Sequence, residues 1–212
     1  MGTPLTRTRE GFERQFGVNH VAHFVLSSLL LPAMVKSSTR ACNSRIIFLA
    51  SSSHRISPVL WDDPNFDVAP SAYDPFVAYG QSKTANIWTA NYIDRVFGAR
   101  GVHALAVHPG AVFSGLFGFT DPALVAEWAN DPVLAKNAQT PEQGAATVVW
   151  AVVGNVWEGK GGKYLANCRV APPTDDYTSI LSSGVAPWAY DTQSEDRLWM
   201  FSEDLTGVHV RL

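Results

Sequence analysis

Apolar side chains recur at Phe12, Phe16, Val21, Phe24, Val25 and Leu29, a mostly helical spacing that predicts a long helix over residues 8–36, closed by Pro32 and the Ser37-Ser38 pair. A change of pattern follows at Ile46-Ile47-Phe48-Leu49, where the run is continuously apolar, as in a parallel strand covered on both faces, predicted over 45–50. That strand leads into Ser51-Ser52-Ser53. Residues 57–75 carry Pro58, Pro64, Pro70 and Pro75 among Asp and Asn and predict a long loop, a length usually kept for function. Helical spacing returns over 76–97, with Ala85, Trp88, Tyr92, Ile93 and Val96 on or near one side and Gly98 and Gly101 closing it. A strand is expected over 102–107, stopping at Pro109-Gly110, then helices over 121–136 and 141–153, the second opening on a proline. A short strand over 163–166 and an amphipathic helix over 193–205 complete the pattern. Strands alternating with long helices imply an α/β fold with a parallel sheet.

Composition narrows the class. The 212 residues hold 16 Lys plus Arg against 19 Asp plus Glu, a net charge of −3, which argues against the basic footprint of a nucleic-acid binder. Hydrophobic residues make up 46% and charged ones 17%, so a substantial core in a single domain, 1–212, is expected. Cys42 and Cys168 form neither a disulfide scaffold nor a metal spacing, and a reducing, cytoplasmic setting is the expectation. The longest apolar stretch, 21–35, falls short of the roughly 20 residues a bilayer requires, so it reads as a buried helix and no membrane span is expected.

The candidate chemistry centres on Tyr79-Gly80-Gln81-Ser82-Lys83. Tyr and Lys four apart lie on one helix face, where an ammonium can favour a phenolate that otherwise costs about 4 kcal/mol at pH 7. Such a Tyr can act as general acid or base on an alcohol or carbonyl. Taken alone the pair is better explained as accidental neighbours on a surface. Its context is a serine run at the C-terminal end of a parallel strand, where open α/β sheets place ligands, although Ser51 would also serve as an ordinary turn cap. Three other patterns are weak. Gly154 to Gly161 lacks the hydroxyl of a phosphate loop; His20 and His23 lack a third metal ligand; Ser51 with His54 lacks a nucleophile elbow.

The order N-x-x-x-x-F, S-S-S-H, Y-x-x-x-K and H-P-G-x-V-x-S, carried by Asn19-Phe24, Ser51-His54, Tyr79-Lys83 and His108-Ser114, resembles the short-chain dehydrogenases/reductases. The likeness is greatest to the retinol dehydrogenase-like and WW-domain-oxidoreductase-like branch, and it spans essentially the whole chain. It implies a Rossmann-type doubly wound parallel sheet, N-terminally truncated, and hydride transfer between NADP or NAD, NADP slightly favoured, and an alcohol or carbonyl carbon. The resemblance assigns Tyr79 as acid/base, Lys83 to lower the Tyr79 pKa and hold the nicotinamide ribose, and Ser51 to orient the substrate oxygen, with Ser52 as the alternative. Asn19 would anchor a relay water near Lys83, and Pro109, Gly110, Val112 and Ser114 would line the nicotinamide end.

No G-x-x-x-G-x-G turn and no N-N-A-G segment stands upstream of Asn19, so by resemblance the sequence starts mid-fold. The 45–50 strand is then expected to present an apolar edge, and the chain alone to be marginally stable and to bind dinucleotide poorly. A truncated, catalytically impaired chain that acts only by associating with others is the alternative. The helices 8–36 and 76–97 are the expected homodimer contact. The loops 57–75, 113–134 and 171–190 are expected to wall a pocket for a small, apolar alcohol or carbonyl; the tryptophans read mostly as core residues, with Trp61 and Trp188 as added walls the alternative.

Overall fold

A computed structural model describes residues 1–112, 114–177 and 184–210. The first long helix has three parts: α1 (Arg14–Phe16), a π-helical turn (Gly17–Val21) and α2 (Ala22–Ser37). It begins at Arg14 because the Glu13 carboxylate caps the N–H groups of Gln15 and Phe16, while Arg7 and Glu13 form an isolated bridge ahead of it. Strand β1 (Ser44–Leu49) follows, then a 3-10 turn (Ser52–Arg55) and helix α3 (Pro75–Phe97), with Asp74 as N-cap and Pro75 in the first turn.

Strand β2 (Val102–His108) precedes α4 (Pro122–Asn130), α5 (Pro132–Asn137) and α6 (Pro141–Val153). One helix was expected over 121–136. Pro132 breaks it by forcing Asp131 into an extended conformation (ψ 119°), so that Asp131 ends α4 and caps α5. Strands β3 (Lys163–Ala166) and β4 (Arg169–Val170) form a hairpin across Asn167 and Cys168, both at φ 51°; β4 is too short to leave a periodic signal. Helix α7 (Thr192–Thr206) ends the fold.

The strands lie in the order β1-β2-β3-β4, with β1, β2 and β3 parallel and β4 antiparallel. All seven residues of β2 are buried, as befits a central strand covered on both sides. Ala104 and Ala106 face Phe24, Leu31, Ile87 and Ile93 of α2 and α3, while Leu105 and Val107 face Ala151 of α6 and Trp157. This is the doubly wound arrangement. Helix α7 covers the outer side of α3 through Trp199, whose ring stacks on Tyr92 at 4.3 Å.

Strand β1 is an edge. Leu49 is half exposed, and Leu26, Leu29 and Leu30 of α2 are uncovered beside it. A groove of about 420 Å³ runs between the two elements. The helix Arg14–Ser37 is 24 residues long and by length and composition apolar enough to cross a bilayer, which the 15-residue reading understated. Phe24 and Leu31 nevertheless lie in the sheet's core. Of the two helices expected in a dimer contact, α2 keeps this exposed row, whereas α3 is buried by its own chain over most of its length. Leu31→Ala should lower stability by about 2–5 kcal/mol, and Leu29→Ala, at a position 64% exposed, by no more than about 0.5 kcal/mol. Urea denaturation of the 212-residue chain checks this, and equal losses would show that the outer row of α2 is covered.

Candidate active site

Helix α3 brings Tyr79 and Lys83 to the C-terminal ends of β1 and β2. It can do so because residue 80 is glycine: a Cβ there would stand 2.7 Å from Ser53 O and 3.2 Å from Ile56 Cβ. The helix thus lies directly against the serine turn. Tyr79 is buried beside the Ser51 side chain, whose hydroxyl donates to Ser53 Oγ at 3.3 Å. Burial pushes the phenol up to about 12, and the Ser51 side chain only partly offsets this. The lowering expected from Lys83 is not the dominant effect here. Its Nζ lies 5.4 Å from the centre of the Tyr79 ring and is turned to the carbonyl of Leu49, to which it donates at 2.9 Å. Burial brings the Lys83 ammonium down to about 8.

Ser51, Ser52 and Ser53 all line the cavity that Tyr79 lines; the Ser51 side chain is the one that lowers the phenol, and it accepts from the N–H of Ser53 at 3.2 Å. Ser52 is buried, and its N–H donates to His108 Nδ1. Asn19 lies in the π-helical turn, a distortion often found at functional sites, and its Nδ2 donates to Ser82 Oγ at 3.0 Å. Asn19, Lys83 and Asn86 line the open groove beside β1, whereas Ser51 and Tyr79 line a second cavity of about 140 Å³ on the other side of the strand end. Asn86, which sequence reasoning did not single out, donates to the same Leu49 carbonyl as Lys83, at 3.1 Å.

The second cavity is largely apolar, walled by Ile56, Phe76, Leu116, Phe117, Trp128 and Leu134. Gly110 and Val112 line it, while Pro109 does not; Ser114 is exposed and caps the turn Gly115–Phe117. Of the expected loop walls, 113–134 contributes, apart from Phe113, which lies outside the described residues, as do 178–183 of the last loop. The 57–75 loop does not contribute, and among the described residues neither does 171–190. Trp61 stacks on Trp88 at 5.7 Å, and Trp188 accepts through its carbonyl from the Trp88 indole, so both serve packing and not the cavity wall.

Three histidines, named from the sequence only in weak pairs or within the H-P-G motif, are buried with strongly lowered pKa. Burial holds His20 near 3, with His23 adding to it; it holds His54 near 3 against the Ser51 backbone hydrogen bond; and it holds His108 near 4, aided by Arg55.

No family model matches the chain. Relatives do. A protein named short-chain dehydrogenase/reductase prx1 from Penicillium roqueforti is 39% identical over 202 residues, 95% of this chain and 58% of its own length. Oxidoreductase calI from Penicillium decumbens is 37% identical (98% and 61%), and human polyprenol dehydrogenase is 32% identical (98% and 58%). Among solved structures, an uncharacterized protein from Mycobacterium paratuberculosis superposes over 100% of this chain and 65% of its own with a TM-score of 0.68 at 27% identity. NADPH-bound carbonyl reductase from chicken fatty liver superposes over 80% of this chain and 61% of its own, with a TM-score of 0.54 at 18% identity, a likeness of fold. The chain belongs to the short-chain dehydrogenase/reductase family, and it spans about 58% of the length of the first of these relatives.

A dinucleotide fits this structure at one end. Asn86 Oδ1, in the groove with Asn19 and Lys83, and Gln139 Oε1, beside Gly110, are buried acceptors without a hydrogen-bond partner. A ribose and a carboxamide carry the donors such atoms need. Among the described residues no glycine-rich turn opens a helix that could receive a pyrophosphate.

Two outcomes follow from this geometry. Gly80→Ala must displace the Ser53 backbone and should cost about 1–3 kcal/mol, read as a lowered urea midpoint; an unchanged midpoint would mean that the turn is free to move. The histidines take up fewer protons folded than unfolded between about pH 6.5 and 4, so stability falls as pH falls through that window. From pH 7 to 5 the loss should be on the order of 1–2 kcal/mol per histidine, before most carboxylates titrate. A flat profile there would show that they charge in the folded state.

Proposed function

We propose that this chain carries the alcohol/carbonyl half of an NAD(P)-dependent oxidoreductase. The observation that carries this reading is a buried phenol, Tyr79, beside Ser51 at the end of two parallel strands, facing an apolar cavity, with a buried ammonium one helical turn away. The family membership of the chain supports it.

Asn19, Lys83 and Asn86 would hold the ribose, and Gly110 and Val112 would stand at the nicotinamide end. The cofactor, when bound, supplies the hydride chemistry. Ser51 and Tyr79 orient the substrate oxygen between two hydroxyls. At neutral pH a phenol near 12 is protonated, which suits giving a proton to a carbonyl oxygen, the direction of reduction. The proton leaves Tyr79 Oη for the substrate oxygen, and the nearby ammonium of Lys83 stabilises the phenolate left behind. The walls from Phe76, Phe117 and Trp128 favour an apolar carbonyl or alcohol, in keeping with a relative named polyprenol dehydrogenase. Two neighbours of the same fold have NADPH or NADP bound, and NADPH is the cofactor to try first.

The test is Tyr79→Phe, assayed with NADPH and an apolar aldehyde or ketone. Turnover should fall at least about 100-fold while cofactor affinity stays within a few-fold, since the ring remains and only the proton donor is lost. Turnover at the wild-type rate would remove Tyr79 from the reaction.

A further inference from the structure

We infer that His54 and His108 are positioning residues for Ser51: they hold the single peptide group between Ser51 and Ser52 from opposite sides, in opposite tautomers. This inference rests on the reading of Ser51 above. The peptide's carbonyl oxygen, Ser51 O, lies 2.7 Å from His54 Nδ1, and its nitrogen, Ser52 N, donates to His108 Nδ1 at 3.2 Å.

The tautomers follow from the partners. The N–H of Ala186 donates to His54 Nε2 at 3.0 Å, so that nitrogen carries the lone pair, and Nδ1 carries the proton that is donated to Ser51 O. His108 must accept at Nδ1 from the N–H of Ser52, so its proton is on Nε2. Neither ring can be an imidazolium without losing its acceptor. The groups around them are consistent with this. His54 faces Arg55, His108 and the Tyr164 ring, whose centre is 4.6 Å away, and His108 faces Arg55. Arg55 Nε donates in turn to Ser52 O at 3.2 Å.

Upstream, the N–H of Ala50 is tied to Val107 O at 2.8 Å. The peptide that follows Ser51 is thus held at both its oxygen and its nitrogen, and the Ser51 hydroxyl, which donates to Ser53 Oγ at 3.3 Å, sits beside Tyr79. The clamp also joins three distant segments: the end of β2 through His108, the serine turn through His54, and the chain at Ala186 ahead of α7. A shift at Ala186 would reach the serine through one ring.

Asn and Gln separate the two sides of each ring. Asn carries a polar atom near the Nδ1 position and Gln near Nε2. His108→Asn keeps the acceptor for Ser52 N–H, and His54→Asn keeps a donor to Ser51 O; the Gln variants lose these. With NADPH, the Asn variants should keep kcat within about threefold of wild type. The Gln variants should lose at least about tenfold in kcat with the cofactor KM unchanged. In the wild-type 212-residue chain, ring-nitrogen 15N shifts at pH 6 should show His54 protonated on Nδ1 only and His108 on Nε2 only. Like tautomers, a charged ring, or Asn and Gln variants of equal activity in an active enzyme would overturn the clamp alone. A wild-type enzyme that does not turn over would overturn the oxidoreductase reading, and the positioning role with it.

Discussion

The closeness of α3 to the serine turn is the constraint on which the site depends. With 2.7 Å between Ser53 O and the place a Cβ would take at Gly80, the helix lies as near to the turn as backbone allows. That closeness lets Tyr79 meet Ser51 and lets Lys83 and Asn86 both reach the Leu49 carbonyl. Thr84 Oγ1 also donates to His54 O and Ser57 O, so the helix side facing the turn is hydrogen-bonded as well as packed. A larger residue at position 80 would separate all of these groups at once.

The site is costly to bury. Tyr79, Lys83, His54 and His108 all lie within or against the core, and in each burial disfavours the charged form. Most of their polar atoms are therefore given partners in the backbone: a carbonyl for Lys83, a carbonyl and an N–H for His54, an N–H for His108. Backbone partners are fixed by the strands and turns, which gives the side chains orientation without mobile counter-charges. The phenol of Tyr79 is the exception, since it lies beside another side chain, Ser51, and faces a cavity.

On the other side of the strand end the structure is open. The groove between α2 and β1 carries apolar Leu26, Leu30 and Ile46 and, at one end, Asn19, Lys83 and Asn86. One buried acceptor without a partner, Asn86 Oδ1, thus adjoins an uncovered sheet edge, in a chain that spans 58% of its first relative's length. The two features share one location because the polar end of the groove lies where β1 stops at Leu49.

The sequence by itself determined the alternation of strands and helices, since β2 is apolar on both faces and α3 has an Asp-Pro start and a glycine end. It also placed Tyr79, Lys83 and Ser51 together, because two lie one helical turn apart and the third follows a strand. It could not show the break at Pro132 as more than a proline within a helical pattern, nor the two-residue strand β4. It left Trp61 and Trp188 between core and cavity wall because loop position says nothing about what a ring stacks on. Only the tertiary structure puts the Ser51 side chain, and not that of Ser52, among the influences on the phenol, since a run of three serines has no periodicity to orient it. The roles of His54 and His108 were equally out of reach: their partners lie 132 residues away at Ala186 and 56 residues away at Ser52. Local spacing specifies which residues share a helix face, but which donor meets which acceptor across such distances is fixed only when the sheet and its helices close on one another.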